Sequence, residues 1–188
     1  MPSYDQALEL MHAWTASDSL RRHMYAVEAA LRACARRLKE DEQLWAITGL
    51  LHDFDYEKHP SKEQHPFVGV EELRRRQYPE VMIEAILGHA TYSGVPRRTP
   101  LAKALFACDE LSGLVTAAVY VRPDRSIHGL KLKSLKKKFK DKRFAAGVDR
   151  DEVRQAATEF GADLDQHMQF MIDALAADAE RLGLAGSV

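Results

Sequence analysis

Asp41-Glu42-Gln43-Leu44-Trp45-Ala46-Ile47-Thr48-Gly49-Leu50-Leu51-His52-Asp53 is the stretch that decides the fold. Asp41 suits a helix N-cap, and the apolar residues after it show no period-two alternation. The segment therefore reads as a short buried helix over residues 42–53. It ends on an imidazole and a carboxylate, side chains that hold transition metals in aqueous sites. Adjacent residues inside an ideal helix point about 100 degrees apart, so such a pair chelates best where the last turn loosens. The acidic loop opening at Phe54 is such a place.

Helical spacing continues on both sides of this segment. Upstream, residues 4–16 form an amphipathic helix, and Ser17-Asp18-Ser19 caps a long one over residues 20–39. Downstream, residues 55–64 with Pro60 read as a loop. Pro66 and Pro79 open helices over residues 66–77 and 80–90. After a loop at residues 92–98, Thr99-Pro100 starts a long helix to about residue 121. A lysine-rich helix at residues 130–139 and two more at 150–160 and 163–182 complete an all-α bundle with a C-terminal helical extension. Residues 1–122 are expected to form the principal domain, with 123–188 packed on it.

Composition bounds the function classes. At 188 residues, 46% hydrophobic and 29% charged, the chain has the make-up of one globular domain with an appendage. Its apolar runs fall far short of the roughly 20 residues that span a bilayer, so no membrane partner is expected. The N-terminus lacks the basic-then-apolar pattern of a signal peptide. Cys34 and Cys108 are far apart and form no CxxC, as expected of packed thiols in a cytoplasmic protein. Net charge is −1, yet residues 121–143 carry ten Lys and Arg against two Asp. Leu132, Leu135 and Phe139 give that segment one apolar stripe under a basic face suited to anions. No defined nucleic-acid module is present, so nucleic acid is not the favoured partner. P-loop, GxSxG and Rossmann glycine patterns are also missing.

Five further features stand in order around the decisive stretch: His23 before it, then His65, His89 and Asp109, with Arg97 in the loop after His89. Asp109 lies among Leu105, Leu111 and Leu114, where an unpaired carboxylate would cost several kcal/mol, to order of magnitude, unless a cation or donor met it. His12, His128 and His167 read as packing or surface histidines, as does His59 beside Pro60.

Over residues 20–115 the series resembles the HD superfamily of metal-dependent phosphohydrolases, whose pattern is H…HD…D. The two-metal branch adds two histidines before the last aspartate. The resemblance implies an HD-type helical bundle in which His23, His52, Asp53 and Asp109 ligate a first metal. It implies His65 and His89 as ligands of a second, with Asp53 bridging. Two divalent transition metals per chain, iron or manganese among the candidates, are expected. The implied activity is hydrolysis of a small anionic phosphoester, such as a nucleotide, by metal-activated hydroxide. Many members carry Lys or Glu three positions after the HD aspartate. Here that position is Tyr56, followed by Glu57 and Lys58, so Lys58 and Arg97 are the candidate basic groups beside Asp53 in catalysis. Two alternatives stand. The same ligand type serves di-iron oxygenases that cleave C–C or C–P bonds, and a non-enzymatic reading makes the chain an anion- or RNA-binding helical module.

Overall fold

The structure, a computed structural model, describes residues 2–186. Its helices are α1 (Tyr4–Trp14), α2 (Asp18–Leu38), α3 (Glu42–Leu51), α4 (Phe67–Arg75), α5 (Glu80–His89), α6 (Pro100–Tyr120), α7 (Leu132–Lys140), α8 (Arg150–Phe160), α9 (Leu164–Ala176) and α10 (Ala179–Leu182). No strand occurs among the described residues, which hold an isolated bridge between Ser126 and Ala185. The all-α expectation is met. One helix differs: the segment expected over residues 163–182 breaks at Ala177-Asp178. Asp178 leaves helical geometry, with φ −122°, and α10 restarts after it. Among the described residues no helix is long and apolar enough to cross a membrane.

The chain divides into two compact units inside α6, the first ending at Phe106 and the second beginning at Ala107. In the first, α3 is the central element. Trp45 through Leu51 are all buried, and α1, α2 and α5 pack against it. The continuous apolar sequence thus reflects a helix covered on all sides. Gly49 is where α2 and α3 meet backbone to backbone: a Cβ there would lie 2.8 Å from the Cα and N of Glu28. Glu28 is itself fully buried. It accepts from the Tyr4 hydroxyl at 3.0 Å and from Arg32 Nε at 3.1 Å, which offsets the cost of burying its charge.

Local capping sets most helix starts. Ser3 and Gln6 form a capping box on α1, Ser17 caps α2, and Asp41 accepts from Gln43 and Leu44 N–H on α3. The loop after α3 is tied to the α1–α2 corner. Phe54 is buried against Trp14 at 5.0 Å between ring centroids. Thr15 Oγ1 donates to the Phe54 carbonyl at 3.0 Å. Glu57 accepts from the N–H groups of Ala16 and Ser17 at 2.9 and 2.8 Å.

In the second unit, α7 and α8 pack on α9. Leu135 and Phe139 of α7 are buried, while Lys133, Lys137 and Lys140 are exposed. Lys136 pairs with Asp165, and Lys138 lies 4.3 Å over the Phe144 ring. The expected apolar stripe under a basic face is therefore present, with Leu132 half-buried. The loop from α7 to α8 closes around Arg150, which is 7% exposed. Its guanidinium donates to the carbonyls of Phe139, Asp141, Phe144, Ala145 and Val148. Carbonyl dipoles solvate the buried cation in place of water.

Candidate metal centre

Four imidazoles and one carboxylate converge in the first unit. α3 ends at Leu51, and His52 continues in helical geometry as its C-cap. Asp53 follows in the turn. His23 comes from the second turn of α2, His65 from just before α4, and His89 from the last residue of α5. Asp53 Oδ2 lies 3.7 Å from His23 Nε2 and 3.6 Å from His52 Nε2. Asp53 Oδ1 lies 3.3 Å from both His65 Nε2 and His89 Nε2. His23 and His52 bring their Nε2 atoms to 3.2 Å of each other. Ligand atoms of Asp53, His65 and His89 all fall within 4.8 Å of one another, a group able to hold a cation.

The far side of three rings is fixed. His52 Nδ1 donates to Gly49 O at 2.8 Å and His89 Nδ1 to Ile86 O at 2.5 Å. His65 Nδ1 meets Asp55 Oδ1 at 2.8 Å. With each Nδ1 so engaged, Nε2 is the atom left to face Asp53, as metal-binding histidines require. The donor set fits a transition metal.

Electrostatics point the same way. Burial pushes the Asp53 carboxyl up, but the charge of His52 and the hydrogen bonds from His65 and His89 outweigh it. Asp53 is held well below the usual carboxylate range and is an anion at neutral pH. Burial pushes His65 down, yet hydrogen bonds to Asp53 and Asp55, and their charges, lift it to about 9. In the metal-free protein His65 is therefore an imidazolium that donates to both carboxylates. A ligand nitrogen must be deprotonated, so each ion bound there expels a proton. Manganese(II) uptake is expected to tighten about tenfold per pH unit from about pH 7 to about 9, then level off. Titration calorimetry across that window checks this; an affinity that is flat or falls with pH refutes it.

Two tyrosines border the cluster. The Tyr56 ring stands edge-on to His65 at 5.1 Å. Tyr92 donates its hydroxyl to the His65 carbonyl at 3.0 Å. Burial, then the charges of Asp53 and Asp55, push that hydroxyl up to about 12, so it stays a donor.

One expected site residue, Lys58, is placed elsewhere. Lys58 donates to the Ala13 carbonyl at 3.1 Å and sits 5.0 Å over the Trp14 ring. The structure thus uses Lys58 at the C-terminal end of α1 and does not bring it to the cluster. Arg97 is closer: its Nη1 donates to Gly88 O at 2.7 Å, one residue before His89, and its guanidinium lies 3.8 Å over Phe106. Asp109 is half-buried on α6, in the second unit. His167 is buried with Nε2 against Ala107 O at 2.8 Å, and His12 meets the Tyr25 hydroxyl.

Sequence reasoning missed Asp55. It is 1% exposed and holds both His65 and the Gly69 N–H. Its one sequence signal is the alternation Asp53-Phe54-Asp55, in which a buried Phe54 turns the two carboxylates to separate tasks.

Fold and site together define a helical bundle that gathers imidazoles around a shared carboxylate. The HD domain family model matches residues 20–114, just over half of the chain, and the interval takes in His23, His52, Asp53, His65, His89 and Asp109. The chain belongs to the HD domain family, the superfamily of metal-dependent phosphohydrolases. No curated protein and no solved structure matches it.

Proposed function

We propose that the chain is a two-metal phosphohydrolase acting on a small phosphoester. The observation that carries this reading is the division of Asp53, with Oδ2 toward His23 and His52 and Oδ1 toward His65 and His89. A carboxylate so shared suits a bridging ligand between two cations. Asp109 lies inside the family match, as the last aspartate of the H…HD…D pattern. Divalent cations at the two positions supply Lewis acidity to phosphoryl oxygens and lower the pKa of water for in-line displacement.

This chain's residues do the rest. Asp53 stays ionised and neutralises cationic charge. The Nδ1 hydrogen bonds hold the rings against rotation, so the ligand geometry exists before substrate arrives. Arg97, anchored beside His89, is the cation assigned to the substrate's phosphate oxygens.

Hydrolysis is tested by loading the protein with manganese(II) or iron(II) and assaying a panel of phosphomonoesters and nucleotides for phosphate release, with and without air. Equal release under both conditions is the expected result. Turnover that requires dioxygen makes the site an oxygenase. Absence of phosphate release from every substrate, with dioxygen consumed, overturns the proposal.

A further inference from the structure

We infer that Asp55 is a positioning residue that governs occupancy of the second metal position, acting through His65. The inference rests on the two-metal reading above.

The three anchored histidines are held in two different ways, and chain geometry explains the difference. His52 and His89 stand at the C-terminal ends of α3 and α5, where unsatisfied carbonyls point onward. Each uses the carbonyl three residues back, of Gly49 and Ile86. His65 stands at the opposite end of a helix, just before α4. A helix N-terminus presents N–H groups, and these cannot accept from an imidazole. Pro66, the N-cap of α4, has no capping side chain either. Both needs are met by one carboxylate from another segment. Asp55 Oδ1 takes the His65 Nδ1, and Asp55 Oδ2 accepts from Gly69 N at 2.8 Å, in the first turn of α4.

The fit at Gly69 is close. A Cβ on Gly69 would lie 2.7 Å from Asp55 Cγ and 2.9 Å from a ring carbon of Phe54, so glycine is required for the carboxylate to reach the helix end. Asp55 and the adjacent Phe54 are both buried. A carboxylate behind an imidazole fixes the tautomer and raises the basicity of the ligating nitrogen; loss of such a partner typically weakens metal binding about 10–100-fold. His23 and His52 have no share in this contact, so the effect falls on the half of the centre that holds His65.

The test uses the full chain and manganese(II) alone. Calorimetry gives stoichiometry and affinity, and electron paramagnetic resonance reports whether two ions are coupled. Wild type is expected to bind two equivalents with a coupled spectrum. Asp55→Asn keeps shape and one acceptor but cannot satisfy both donors without its charge. It is expected to retain the first equivalent unchanged, to bind the second about 10–100-fold more weakly, and to show an isolated-ion spectrum at one equivalent. Gly69→Ala attacks the same contact from α4 and should reproduce this pattern if Asp55→Asn does not fold. The double variant should cost no more than the worse single one. Two unchanged equivalents in Asp55→Asn overturn the inference and leave the two-metal reading standing. Equal weakening of both equivalents reduces Asp55 to a structural role and also overturns it. A wild type that binds one equivalent overturns both readings.

Discussion

Replacing Asp53 with alanine is expected to abolish phosphoester turnover, by at least about 10³-fold, equivalent to roughly 4 kcal/mol in the barrier. The size of the effect follows from position. Asp53 faces all four imidazoles through its two oxygens, so on the proposed two-metal reading its removal would strip a shared ligand from both positions. It also removes the carboxylate charge that faces all four rings and would offset that of bound cations. Asparagine should not rescue activity, because an amide keeps the shape but not the charge. Helix content should hardly change. Asp53 lies beyond the last residue of α3, and the hydrogen bond it gives the turn comes from its backbone, Tyr56 N to Asp53 O at 3.0 Å. Initial rates on the metal-loaded variant, alongside far-ultraviolet circular dichroism, decide the matter. Wild-type turnover by a folded Asp53→Ala protein would sink the hydrolase reading.

What the sequence disclosed and what it withheld divide along contact distance. Helix starts were legible at Ser17, Asp41, Asp149 and Asp163, because each caps an N–H two or three residues away. The buried helix ending at His52-Asp53 was legible from its unbroken apolar run. The order of His23, His52-Asp53, His65, His89 and Asp109 was legible as a family motif, although nothing local says that His23 and His89 meet one carboxylate. Asp55 was illegible because its partners lie 10 and 14 residues on. Lys58 was read toward the substrate by analogy, yet its contact is 45 residues back, at Ala13, and its neighbour Glu57 reaches back 40–41 residues to Ala16 and Ser17. A lysine five residues past a motif has the reach to serve either role, and only tertiary structure selects one. Arg150 was illegible for a different reason: its partners lie only 2–11 residues back, but they are main-chain carbonyls, which carry no side-chain signal. Nothing in its surroundings in sequence announces a guanidinium wrapped by five carbonyls.

Gly49→Ala is the second large effect, and it links fold to site. In an exposed helix interior, alanine is favoured over glycine by about 1 kcal/mol. At Gly49 the added methyl would lie 2.8 Å from the Cα and N of Glu28 and 2.9 Å from the carbonyl carbon of Val27. These are backbone atoms of α2 and cannot rotate away, so the two helices must separate and disturb the core they share. A net loss of about 3 kcal/mol is expected, the upper range for overpacking, after the propensity gain is overcome. The Gly49 carbonyl also anchors His52 Nδ1, so metal uptake should weaken in the protein that remains folded. Gly113→Ala, in α6, is the matched control. Its added methyl meets nothing nearer than Val148 Cγ2 at 3.8 Å, an ordinary contact. It should stabilise by about 0.5–1 kcal/mol. Urea midpoints for the two variants are expected to move in opposite directions. A Gly49→Ala midpoint at or above wild type would mean that α2 and α3 do not meet through this glycine, and the placement of His52 would then need another cause.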